Sequence, residues 1–176
     1  MTYTTIRITR ESLEFHSACN SGLKTFDHFT NETGVLELQW SPLAALWLAT
    51  SYPDEVRWLH QRGLIPPANL RHCRLRGLDL RGAYLVGAWL DGADFRGANL
   101  NSADLSFAHI DTADFRGAVL ANAKFQHAYM KNCLLQRAEL RYSNFTGAYL
   151  SGTNFTGAKT AVHACLRRVE LDEVTF

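Results

Sequence analysis

The chain has 176 residues, of which 47% are hydrophobic and 20% charged, and its formal net charge is +1. That balance fits a folded chain of one or two compact units and argues against disorder. The longest apolar runs, such as Leu43 to Ala49, fall far short of the roughly 20 residues a bilayer span needs, and the N-terminus lacks a basic-then-apolar signal layout, so a cytoplasmic protein is expected.

Charge divides the chain mildly. Residues 1–67 hold 5 Lys/Arg against 7 Asp/Glu, net −2, and residues 68–176 hold 13 against 10, net +3. Neither half is polarised enough for nonspecific nucleic-acid binding by bulk charge. Cys19, Cys73, Cys133 and Cys165 form no CxxC pair and no grouping with histidine at metal-ligand spacing, so they read as free thiols, with no metal and no cofactor.

The first 67 residues carry Trp40, Trp47 and Trp58 and apolar positions at helical spacing. Thr9 is placed to N-cap a helix with Leu13, Cys19, Leu23, Phe26 and Phe29 as its apolar positions, and Ser41-Pro42 to open another through Thr50. Asp54 begins a short helix containing Val56, Trp58 and Leu59 that stops at Gly63 and Pro66-Pro67. A small α-helical N-terminal cap or interaction module over 1–67 is therefore expected, covering an end that would otherwise expose unpaired strand groups.

From residue 68 the pattern changes. Every fifth residue from Leu70 to Phe155 is Leu, Phe, Ile or Met without a break. Two positions before each stands a small residue, nearly always Ala, with Cys73, Leu78, Cys133, Ser143 and Thr153 as the exceptions. A period of five matches neither a helix nor a simple strand, so the chain must turn a corner about once per repeat. The small and large residues, two apart in extended backbone, share the inward face, and the Asp, Asn, Arg, Ser, Thr and Gly around them face solvent.

Stretches such as Ala93-Asp94-Phe95-Arg96-Gly97, Ala98-Asn99-Leu100 and Ala103-Asp104-Leu105 resemble the pentapeptide-repeat family, over residues 68–158 without insertion. The resemblance implies a mainly β fold, a right-handed quadrilateral β-helix with four repeats per coil. The N-terminal part is similar to small helical modules that precede such repeats in bacterial and phage proteins. Past Lys159 the register fails at Thr160 and resumes one residue late as Ala164-Cys165-Leu166, Val169-Glu170-Leu171 and Val174-Thr175-Phe176. We read this as a slip near 159–161 and a last coil to 176, with a short helix over 159–168 as the alternative.

If a coil is twenty residues, side chains twenty apart stack into columns. One outward column is Asn69, Trp89, His109, Tyr129, Tyr149, and another is Arg76, Arg96, Arg116, Gln136, Thr156, with Asp94 and Asp114 two residues before two of the arginines. Exposed Trp and Tyr serve as interface anchors, whereas an Asp/Arg ladder also arises on ordinary solvated surface. Asp91 and Asp111 mark a local acidic strip. His72 with Cys73 and His109 with Asp111 are the local pairs with chemical potential; the first pair diverges and the second lacks a third partner, so no enzyme is expected.

These features point to a non-catalytic binding protein whose walls and N-terminal helices engage, and block or modulate, a protein partner. The resemblance adds two alternatives: protection or inhibition of a type II topoisomerase by DNA mimicry, which wants a more acidic rod than this one, and phage-type counter-defence against a host nucleic-acid-processing complex. Direct nucleic-acid binding through Arg71, Arg74, Arg76 and Arg81 is disfavoured by the small, interrupted cluster. Leu166, Leu171, Val174 and Phe176 would make a homodimer contact at the last coil.

Overall fold

The computed structural model describes residues 4–9, 35–40, 42–159, 164–169 and 173–175. Strand β1 (Thr4–Thr9) pairs antiparallel with β2 (Val35–Trp40), with Ile6 opposite Leu38 and Ile8 opposite Leu36. Both segments alternate apolar and polar residues, which is the period of a strand. The all-helical expectation for 1–67 is corrected here by these two strands, of which Thr9 and Trp40 are the last residues. The expected apolar positions Leu13, Cys19, Leu23, Phe26 and Phe29 lie outside the described residues.

Two helices follow, α1 (Pro42–Ser51) and α2 (Pro53–Gln61). Each begins on a proline, whose fixed φ and missing N–H suit the first helical turn. Asp54 and Glu55 stand in the first turn of α2, where the positive end of the helix dipole favours them. Ala45 and Ala49 of α1 are buried in the same cluster as Leu70 and Leu85 of the first coil. The Tyr84 N–H donates to the Ala49 carbonyl at 3.0 Å. One orphan carbonyl of a helix C-terminus thus satisfies one strand N–H that has no coil before it. On α2, buried Val56 joins Leu48, Ile65 and Tyr84 in a second cluster, and Tyr84 Oη lies 3.1 Å from His60 Nδ1. Burial pushes the His60 imidazole below its ordinary range.

From residue 68 the chain winds into a stack of coils. Asn69, Trp89, His109, Tyr129 and Tyr149 pair successively in parallel, twenty residues apart, and the columns through Arg74, Asp79 and Tyr84 do likewise. There are therefore four walls. Past Lys159 the interval becomes 21, with Asn144 paired to Cys165 and Asn154 to Thr175. The Phe145 N–H donates to the Cys165 carbonyl and the Cys165 N–H to Ser143, so the ladder runs on through the described C-terminal residues.

Hydrogen-bond accounting explains the repeat. In the repeat around Phe95, the N–H groups of Phe95 and Gly97 donate to the next coil, Asn99 donates to the coil before, and Ala98 closes the corner onto Phe95. One donor per repeat is left, and Arg96 gives it to the side chain of Asp94 at 3.1 Å. The same turn recurs from Asn101 to Asn99, Ser106 to Asp104, Arg116 to Asp114, Thr146 to Asn144 and Thr156 to Asn154. Asp or Asn precedes the large residue because only a short acceptor reaches the N–H two residues on.

Inside, every large residue from Leu90 to Leu135 is fully buried, as are the alanines that precede them. Phe95 and Phe115 stack at 4.7 Å between centroids, Phe125 and Phe145 at 4.8 Å, and Phe115 meets Phe125 edge to face. The polar exceptions at the alanine slot are also buried and paired: Cys133 Sγ–H donates to the Ile110 carbonyl, Ser143 Oγ to Leu140 and Thr153 Oγ1 to Met130. Burial pushes the Cys133 thiol far up. Leu78 differs: in the first coil, with no inner alanine before it in its column, it is 40% exposed. The corner residues sit in the left-handed region, among them Gly117 (φ +67) and Phe107 (φ +59).

Candidate functional site

The first wall presents the ring column. Trp89 stacks on His109 at 4.2 Å, His109 on Tyr129 at 4.9 Å and Tyr129 on Tyr149 at 4.9 Å, with interplanar angles of 12°, 8° and 4°. Coil spacing in a parallel ladder is ~4.8 Å, close to the stacking distance of aromatic rings, so equivalent rings one coil apart fall face to face. Arg71 closes the column, its guanidinium 4.1 Å from the Trp89 centroid. The facing sides of these rings are taken up by one another, and no room remains for a nucleobase between them. Their edges, with the tyrosine hydroxyls, meet solvent: Trp89, Tyr129 and Tyr149 are 37%, 43% and 41% exposed.

Sequence reading missed a second ladder beside the first. Phe107, 55% exposed, stacks on His127 at 5.2 Å on the corner two residues before His109 and Tyr129. Its signal was the twenty-residue spacing of two rings at a corner position.

Rings on this wall occupy the positions where Asp or Asn would accept the leftover N–H. Asp91 and Asp111 replace that acceptor from one coil earlier: the Asp111 N–H donates to Asp91 Oδ1 at 3.2 Å and the Lys131 N–H to Asp111 Oδ1 at 2.8 Å. Asp91 also accepts from Arg71 Nε at 2.8 Å. The two carboxylates are therefore tied into the wall that carries the rings, and Asp91 is also paired with Arg71. His109 is sandwiched between rings, so the His109 and Asp111 pair makes no hydrogen-bonded dyad.

The second wall carries the arginine column. Arg96 grips Asp94 in a bidentate pair at 2.8 and 2.6 Å, and Arg116 grips Asp114 likewise at 2.9 and 2.6 Å. The Arg96 guanidinium holds the Asp94 carboxyl down at about 2. Arg76 forms no ion pair among the described residues. Of the other basic candidates, Arg71 is engaged by Asp91 and Trp89, and Arg81 by Asp79 at 2.6 Å. Two clefts open beside this column, one of about 400 Å³ lined by Arg76, Arg96, Gly97 and Arg116, the other of about 520 Å³ lined by Arg116, Gly117, Gln136, Arg137 and Thr156.

Among the described residues no group of three or more His, Cys, Asp or Glu could hold a metal ion, and Cys73, Cys133 and Cys165 are free. No helix there is long and apolar enough to cross a membrane. At the last coil, half-buried Leu166 and Val174 pack against the core column; Leu171 and Phe176 lie outside the described residues.

A four-walled, filled β-solenoid with its chemistry on the outside is the class of protein these features define. The pentapeptide-repeat model matches in eight copies over residues 68–172, and the chain belongs to that family. Among solved structures it is similar to a pentapeptide-repeat protein of the Arabidopsis thaliana thylakoid lumen (29% identity, 51% of this chain and 62% of that one, TM-score 0.49). Others are Rfr23 of the cyanobacterium Cyanothece 51142 (19%, 68% and 91%, 0.45) and QnrB1, a plasmid-mediated fluoroquinolone resistance protein (18%, 59% and 65%, 0.36). The matched region thus spans less than two thirds of the Arabidopsis chain. No curated protein matches.

Two outcomes follow from this geometry. Asp111→Ala orphans the Lys131 N–H and should lower stability by about 1 kcal/mol, while Asp111→Asn, which keeps the acceptor, should restore most of it; urea unfolding measures both. The depressed Asp94 carboxyl gives the Asp94–Arg96 pair a contribution that is present above the ordinary carboxylate range near pH ~4 and lost as pH falls from there through about 2. Melting temperatures across that range should fall less steeply for Asp94→Asn than for the wild type.

Proposed function

We propose that this protein is a non-catalytic binding module whose aromatic wall docks on a partner protein and blocks or modulates it. The observation that carries this reading is the double ladder of edge-on rings, Trp89 through Tyr149 with Phe107 and His127, on a surface whose core needs none of them. Such rings are rigid and amphipathic, so ordering them at an interface costs little side-chain entropy. Support also comes from the filled interior, which leaves the outer surface as the place for recognition. The helices on the first coil fit a cap, and the free described thiols fit a cytoplasmic setting.

A wall-docking role is preferred over duplex-DNA mimicry on a topoisomerase. Mimicry needs unneutralised carboxylates, whereas Asp91, Asp94 and Asp114 are each paired with an arginine.

Affinity capture from the native host, with the wild type beside Tyr129→Ser/Tyr149→Ser, tests the reading. The wild type should retain a specific protein, and the double variant, folded and melting within a few degrees, should bind it at least about tenfold more weakly, as loss of interface anchors does. Equal affinity in the two would contradict the proposal.

A further inference from the structure

The first coil has no coil before it, and its cover is uneven. Within the stack each wall bonds to the preceding coil in one way. On the second wall the Asp94 N–H donates to the Cys73 carbonyl, while the Asp94 and Arg96 carbonyls accept from Leu75 and Gly77. The equivalent groups one coil earlier are the N–H and carbonyl of Arg74 and the carbonyl of Arg76. Helix α1 meets the fourth wall at this level through Ala49 and Tyr84. Among the described residues, the groups of Arg74 and Arg76 find no such partner, and neither does the Asp79 N–H on the third wall. A row of unpaired N–H and C=O groups is a template on which another chain can pair.

Side chains set the chemistry of what pairs there. Leu78, just past the Gly77 corner, is 40% exposed, whereas Ala98 and Ala118 in the same column are fully buried. Arg74 and Arg76 are exposed and form no ion pair among the described residues. Asp94, which follows Arg74 in its column, is held by Arg96 at 2.6 Å. The stack itself pairs basic side chains with carboxylates one coil away: Asp91 meets Arg71 at 2.8 Å, and Asp104 approaches Lys124 at 3.5 Å. A strand added in the same register would set its side chains against Arg74 and Arg76 at the same ~4.8 Å coil spacing.

We propose that the first-coil edge from Arg74 to Leu78 takes an extended, acidic segment of a partner protein as an added parallel strand. Its backbone pairs with Arg74 and Arg76, its carboxylates face the two guanidinium groups, and an apolar side chain past its own corner covers Leu78. Strand addition of this kind draws affinity from main-chain hydrogen bonds and specificity from the side chains beside them. A sugar-phosphate chain neutralises the arginines but has no amide N–H to give the two carbonyls. The edge lies on the second wall, apart from the rings of the first, so the inference does not rest on the aromatic wall.

Fluorescence anisotropy on the full chain tests it, with the labelled peptide Ser-Ala-Glu-Ala-Glu-Gly-Leu-Ser. Beside it stand the same peptide with Gln for Glu, the same peptide N-methylated at the Ala and Gly that face the Arg74 and Arg76 carbonyls, and an oligothymidylate of equal charge. The parent peptide should bind saturably at low salt, weaken as salt is added, and exceed both altered peptides by at least about tenfold, since each lacks one of the two kinds of contact. Arg74→Glu/Arg76→Glu, with its melting temperature unchanged within a few degrees, should weaken binding by at least about tenfold through charge reversal. Tyr129→Ser/Tyr149→Ser should bind the peptide as the wild type does, so a failure here is separable from a failure of the aromatic wall. No saturable binding, equal affinity for the N-methylated or Gln peptide, unchanged affinity in the arginine variant, or tighter binding of the oligothymidylate would overturn the proposal.

Discussion

The distance between coils, fixed by parallel backbone hydrogen bonds at ~4.8 Å, is the constraint from which the rest of this structure follows. Four walls closing on one interior leave each repeat room for one small and one large apolar side chain, and the zero exposure of Ala103, Leu105, Ala113 and Phe115 shows that room filled. A single coil could not bury those groups, so stability is collective along the stack. The same distance sets the surface. Rings on neighbouring coils meet at stacking separation whether they face in, as Phe95 and Phe115 do, or out, as Tyr129 and Tyr149 do.

Because the solenoid has so few ways to vary inside, its individuality lies in how each wall satisfies one leftover N–H. The other three walls solve this locally at several repeats, with Asp or Asn two residues earlier. The first wall gives that position to rings and recruits Asp91 and Asp111 from the preceding coil. At His109 and Tyr129 those carboxylates let a ring and a satisfied backbone N–H coexist. On the second wall, the aspartates that close the turns also hold the arginines that line the clefts. Turn chemistry and surface chemistry are thus carried by the same residues.

Much of this was legible in the sequence, because periods of five and twenty are geometric statements. The unbroken run from Leu70 to Phe155 identifies the core, and the spacing of Trp89, His109, Tyr129 and Tyr149 identifies a column. Three things were not legible. The role of Asp91 and Asp111 depends on which N–H remains unpaired after the ladder forms, which no composition reveals. The two clefts depend on bare glycine corners lying beside arginines contributed by successive coils. Strand β1 is hard to read although Thr5 to Thr9 alternates, since its partner Val35–Trp40 is distant in sequence and so short an alternation competes poorly with helix-start signals such as Thr9.

One continuous buried column holds the whole solenoid together, and Leu105→Asp tests this most directly. Leu105 is fully buried with its neighbours above, below and across, and an unpaired carboxylate there costs several kcal/mol, of the order of ~4. Circular dichroism during urea unfolding should show the variant losing the β signal of the entire solenoid in one step, at a far lower midpoint than the wild type or already in buffer. A folded variant with the wild-type midpoint would contradict the inward register, and with it the assignment of every outer wall.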